Sequence, residues 1–168
     1  LARPWGLPGT PGLEHRVGGL EKWDNTGHVS YDPDNHQKMV ELRQQKVDII
    51  ANDIPKCKIY GKGQGDLLVV GWGGTHGAIR SAVESAQSEG LSISHLHLRH
   101  LNPLPKDLGE ILVKFQKVMI PELNLGQLAM IIRSKFLVNA ISFSKVQGKP
   151  FTQTEVYHKI TELIKDMR

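Results

Sequence analysis

Three stretches of this 168-residue chain carry groups that could do chemistry. The first is Gly71-Trp72-Gly73-Gly74-Thr75, a glycine turn between the apolar run Leu67 to Val70 and a segment of helical spacing. N–H groups at a helix start favour anions, and glycines let a ligand approach closely. Gly73 and Thr75 are therefore ligand-proximal candidates. The fuller phosphate motifs are absent. There is no GxxxxGK[ST], and Gly71, Gly73 and Gly77 have GxGxxxG rather than GxGxxG spacing. A tight strand-to-helix connection with no ligand is the simpler reading.

The second stretch is His95-x-His97, with His100 three residues on. Residues i and i+2 of a strand share a face, so His95 and His97 could share a metal. Metal sites commonly use three or four ligands, and no Cys or acidic residue lies close in sequence. Leu96 and Leu98 point the other way, so a partly polar interface explains the pair without a metal. The third stretch is Pro121 to Gln127, at a strand's C-terminal end, where open α/β sheets commonly meet ligands or partners. Glu122, Asn124 and Gln127 offer carboxylate and amide groups there. A local reading competes: Asn124 as a helix N-cap, Gln127 closing a capping box. Ser/His/Asp catalysis is not supported. Ser81 and Ser85 fall inside a helical pattern, no GxSxG elbow is present, and His76 reads as a solvated first-turn residue. No residue receives a catalytic role and none a metal-ligating one.

The elements that must position these groups follow from periodicity. Ala78, Ile79, Ala82, Val83 and Ala86 recur at helical intervals, with Thr75 as the expected N-cap. Strand, turn and helix make the first half of a βαβ unit. Downstream, strands are expected at Leu91 to Leu98, Val118 to Ile120 and Ala140 to Phe143, with Pro121 ending the second of these. Helices are expected over Leu108 to Phe115, along Leu125, Leu128, Ala129, Ile132 and Phe136, and after Thr152 or Thr154. Lys58-Ile59-Tyr60 reads as a short edge strand. Strands alternating with helices imply an α/β fold with a mainly parallel sheet covered on both faces. Upstream, residues 1 to about 31 are dense in Gly and Pro yet carry Trp5 and Trp23, so they should lie against a surface outside themselves. Asp32-Pro33-Asp34 reads as the start of a helix reaching about Ala51. The expected division is 1–57, an irregular leading segment with a bridging helix, and 58–168, the α/β domain.

Composition narrows the classes. The hydrophobic fraction of 39% supports a packed core. No apolar run approaches the ~20 residues of a membrane span. The single cysteine, Cys57, excludes an internal disulfide and points to a reducing, cytoplasmic setting. It also cannot hold an iron–sulfur cluster, which takes about four such ligands. The net charge of +4 is spread along the chain with no basic run, so nucleic acid is not the expected partner. A start at Leu1 reads as a fragment or a processed product.

Taken in order, GWGGTHGAI, HLRHLNPLP and PELNLGQLAMIIRSKFL resemble the alpha chain of 2-oxoacid:ferredoxin oxidoreductases, and most nearly the 2-oxoglutarate type. PGTPGLEHRVGGLEK and VSYDPDNHQKMVELRQQKV match the segment leading into that domain. Gly74 departs from the Ser or other small polar residue frequent there. The resemblance implies a transketolase C-terminal-like, three-layer α/β sandwich. It implies a non-catalytic, structural or interface part of an enzyme that oxidatively decarboxylates a 2-oxoacid to an acyl-CoA and reduces ferredoxin. Thiamine diphosphate, Mg and the iron–sulfur cluster would belong to the complete enzyme and none to this stretch. A beta subunit would be the partner, with ferredoxin and CoA serving the whole. Gly73, Thr75, Glu122, Asn124 and Gln127 would be interface or ligand-proximal positions. Two readings stand beside it: a flavodoxin-like nucleotide- or flavin-binding module using the glycine turn, and a zinc protein using His95 and His97.

Overall fold

The computed structural model describes residues 6–15 and 17–167; Trp5, named above, lies outside the described residues. The chain forms two compact units, one up to Asp53 and one from Ile54.

In the first unit, α1 spans Pro33–Asp48 and passes into a 3-10 turn, Ile49–Asn52. The Asp32 side chain accepts the Asn35 N–H at 2.7 Å, as its N-cap position predicts. The leader is irregular, with one isolated antiparallel bridge between Lys22 and Val29. Glu21 ties it to α1 through Arg43 at 3.0 Å and His36 at 2.8 Å.

The second unit holds strands β1 (Ile59–Tyr60), β2 (Gly65–Trp72), β3 (Ile93–Leu98), β4 (Phe115–Glu122) and β5 (Ala140–Ser144). Its helices are α2 (His76–Ser88), α3 (Leu108–Leu112), α4 (Gln127–Phe136) and α5 (Gln153–Lys165). The sheet order is β1-β3-β2-β4-β5. All pairings are parallel except β1 with β3. Alternation along β2 builds two cores. Leu67 and Val69 pack with Ile79 and Val83 of α2 and Val156 and Ile160 of α5. Leu68 and Val70 pack with Leu112 of α3 and Leu128 and Ile132 of α4. The result is the expected three-layer sandwich. Thr152 caps α5 in a reciprocal box with Glu155. Among the described residues no helix is long and apolar enough to cross a membrane.

Two expectations about β4 are corrected. Phe115 belongs to the strand, not to the preceding helix, and Pro121 does not end the ladder: Pro121 pairs with Phe143 and Glu122 with Ser144. The Lys145 N–H donates to the Glu122 carbonyl at 2.9 Å, so residue 122 faces β5. The N–H that Pro121 lacks would face β2, where pairing already stops at Val69 with Met119. Leu125 is a third correction. It precedes α4 and is 82% exposed, so it does not join that helix's apolar face.

Candidate functional site

The chain leaves β2 toward β3 on one side and returns to β4 on the other. The switch point therefore lies between the C-terminal ends of β2 and β4, where open sheets commonly form a ligand crevice. Here Trp72 meets Glu122. The Glu122 carboxylate, 0% exposed, accepts the Leu128 N–H at 2.8 Å and the Ala129 N–H at 3.0 Å. It also accepts from the Asn124 side-chain amide at 3.2 Å and the Trp72 indole N–H at 3.4 Å. Thus a strand residue satisfies the orphan donors of the α4 first turn. The carboxylate expected at the rim is buried in its own turn.

Its neighbours follow the same logic. Asn124 Oδ1 accepts the Gly126 N–H at 2.7 Å and the Gln127 N–H at 3.1 Å. The N-cap position itself falls to Gly126, whose φ of 90° suits glycine, and no capping box closes through Gln127. Gln127 is the exposed first residue of α4. Thr75, 4% exposed, does not cap α2. Its hydroxyl donates to the Trp72 carbonyl at 2.8 Å and accepts the Trp72 N–H at 3.2 Å. Gly73 is exposed, at φ 56°. Trp72, Thr75, Glu122 and Asn124 are therefore one hydrogen-bonded unit, while Gly73 and Gln127 present surface.

A second constellation covers β3. His95 and His97 share a face, with ring centroids 5.8 Å apart, and His76 packs 5.5 Å from His95 and 4.8 Å from His97. Tyr60 stacks on His95 at 5.6 Å, and the Arg80 guanidinium sits 4.2 Å above Tyr60. Three imidazoles thus meet where sequence spacing pairs only two; His76 is exposed but is part of the cluster. Burial pushes the pKa of His95 down to about 3, and His97, His76 and Arg80 add to the shift. His97 is lowered too, by burial first and then by His76 and Arg99. Neither ring nitrogen of His95, nor Nδ1 of His97, has a hydrogen-bond partner. Among the described residues no group of three or more His, Cys, Asp or Glu side chains is arranged to hold a metal ion.

Two cavities lie over this cluster, of about 450 and 240 Å³, and share His76, His97, Leu98 and Arg99. Lys56 and Lys58 line the smaller one. The pairing of β1 with β3, Ile59 to Leu96 and Tyr60 to His95, carries these lysines to the end of β3 beside Arg99. Sequence reasoning missed all three cations. Their only signal is a Lys-x-Lys before a short strand and an Arg after a His-bearing one.

Cys57 does not fit a cluster ligand. Burial, then the Asp107 carboxylate, pushes its thiol up to about 12, whereas iron takes the thiolate.

Comparison with known proteins gives a consistent picture. The family model described as pyruvate:ferredoxin oxidoreductase core domain II matches residues 65–156. The 2-oxoglutarate oxidoreductase subunit KorA of Mycobacterium tuberculosis is 48% identical over 157 residues, covering 93% of this chain and 24% of that one. Subunit alpha of 2-oxoacid:ferredoxin oxidoreductase 1 of Aeropyrum pernix is 32% identical over 154 residues, covering 86% and 24%. The chain thus spans about a quarter of the length of the curated relatives it matches. Among solved structures, the 2-oxoglutarate:ferredoxin oxidoreductase of Magnetococcus marinus, with 2-oxoglutarate, coenzyme A and succinyl-CoA bound, superposes with a TM-score of 0.86. It is 31% identical, and the match covers 96% of this chain and 28% of that one. A split gene transketolase, at TM-score 0.53 and 16% identity over 67% of this chain and 42% of that one, shares the fold. The chain therefore belongs to the pyruvate:ferredoxin oxidoreductase core domain II family, in the branch of the 2-oxoacid:ferredoxin oxidoreductase alpha subunits.

Proposed function

We propose that this chain is the structural and interface part of the alpha subunit of a 2-oxoglutarate:ferredoxin oxidoreductase. The observation that carries this is the 48% identity to a 2-oxoglutarate oxidoreductase subunit across 93% of the chain. The complete enzyme converts a 2-oxoacid and CoA to an acyl-CoA and CO2 and passes the electrons to ferredoxin in the cytoplasm. Thiamine diphosphate, Mg and the iron–sulfur cluster sit elsewhere in that enzyme; the protonated Cys57 thiol supports this for the cluster. Residues 1–57 are the leading segment and 58–168 the α/β domain in this reading. The relatives favour it over a free-standing flavin or nucleotide module.

Within the domain, Thr75, Glu122 and Asn124 shape the rim and Gly73 and Gln127 meet the beta subunit. The support is the division just described, in which the first three spend their polar groups internally and the last two are exposed. The test is titration of the alpha subunit with its beta partner. Gln127→Ala should weaken association about tenfold with the melting temperature unchanged. Unaltered affinity would reduce the rim to a local turn.

A further inference from the structure

We infer that the groove over β3 and β1 binds a phosphate-bearing small molecule. The inference stands apart from the reading above, since it rests on the groove alone.

Charge is the first argument. Lys56, Lys58 and Arg99 converge on two joined cavities, and no carboxylate lines either one. The three cations enter no salt bridge among the described residues. Like charges gathered in a concave site focus a positive potential, and an anion relieves their repulsion. A planar guanidinium beside two ammonium groups matches a phosphate, which offers several oxygens in different directions.

The imidazoles are the second argument. His76 and His97 line both cavities, and His100 lines the smaller. Nδ1 of His97, which lines both cavities, is buried without a hydrogen-bond partner. Polar atoms buried this way mark a site whose polar complement is incomplete. An anion in the groove offsets the burial that lowers the pKa of His97.

Size and lining give the rest of the ligand. The larger cavity, about 450 Å³, lies within the range of small-molecule sites. Trp72, Leu98 and Leu101 supply it with an apolar wall. The body attached to the phosphate is therefore flat or apolar, as in a nucleotide.

The experiment follows the histidine side-chain resonances of the full chain by NMR during titration with inorganic phosphate, pyrophosphate, ADP and succinate. The expected result is movement of His76, His97 and His100, with ADP and pyrophosphate binding more tightly than phosphate and succinate weakest. Lys58→Gln and Arg99→Gln should each weaken ADP binding roughly tenfold, Lys58→Arg should restore it, and Lys149→Gln, outside the groove, should leave it alone. Melting curves confirm that the variants fold. Resonances unmoved at 10-fold excess over the chain at millimolar concentration would overturn the inference. So would succinate binding as tightly as pyrophosphate, or Lys149→Gln weakening binding as much as Lys58→Gln.

Discussion

Replacing Glu122 by glutamine changes one atom of a fully buried side chain. The carboxylate holds two backbone donors, Leu128 N–H at 2.8 Å and Ala129 N–H at 3.0 Å, one on each oxygen. A glutamine keeps a single acceptor oxygen and turns an NH2 toward the other donor. One bond to a charged acceptor is lost, worth about 1.5–3 kcal/mol, and a buried N–H is left without a partner. Relief from burying a charge offsets part of this. The net expectation is about 2–4 kcal/mol of destabilisation, or roughly 10 °C in melting temperature for a domain this size. Thermal and urea unfolding followed by circular dichroism give the magnitude. Amide exchange gives the location, because Leu128 and Ala129 should lose protection before β2 does. Asn124→Ala supplies the scale: it removes bonds to Gly126 and Gln127 and should cost about 1 kcal/mol. A shift below about 3 °C for Glu122→Gln, with normal protection at Leu128, would refute the account of this residue as the anchor of α4.

Acid should destabilise the fold through His95. The unfolded histidine takes a proton as pH falls below 6.5, while the folded one resists until about 3. Stability therefore falls with pH across that window, by up to about 1.4 kcal/mol per pH unit for this proton. His95→Phe should flatten the slope in urea unfolding at a series of pH values; an unchanged slope would remove His95 as its source. Gly71→Ala should destabilise by about 1–3 kcal/mol, since a Cβ there would stand 2.5 Å from the Ile79 Cδ1 and 3.2 Å from the His97 Nδ1. Denaturant midpoints check this. The isolated chain should give no 2-oxoglutarate- and CoA-dependent dye reduction with thiamine diphosphate and Mg added, and turnover would overturn the structural role proposed for it.

Much of the fold was legible because the signals were local. The apolar face of α2 repeats at helical spacing, Asp32-Pro33 announces its helix start chemically, and the last helix start narrows to Thr152 or Thr154. The sheet was harder where its residues break pattern. Gln116 and Lys117 look like surface, and Pro121 looks like a stop, yet β4 runs through all three: Lys117 pairs with Leu67 and Pro121 with Phe143. Glu122 was visible as an unusual residue, but nothing in its type says that it turns inward to hold a helix six residues on. The groove was hidden for a different reason. Lys56 and Lys58 lie far from Arg99 in sequence, and only the reversed pairing of β1 with β3 gathers them. Periodicity carries no information about that register.

That reversed strand also sets how the groove can breathe. β1 pairs with β3 at only two positions, Ile59 with Leu96 and Tyr60 with His95, helped by the stacking of Tyr60 on His95, and before it the Cys57 N–H donates to Asp107 at 2.9 Å. The central strands β2 and β4 are flanked on both sides and buried in two cores. Opening free energies differ widely across a fold, and short margins open first. Lys56 and Lys58 therefore ride on a flap that can detach while the sheet stays intact, and Asp107 is the latch. Native-state amide exchange at Cys57, Ile59 and Tyr60 should be the fastest of any sheet-linked residues in the unit. A bound anion would slow it by bridging the flap to Arg99.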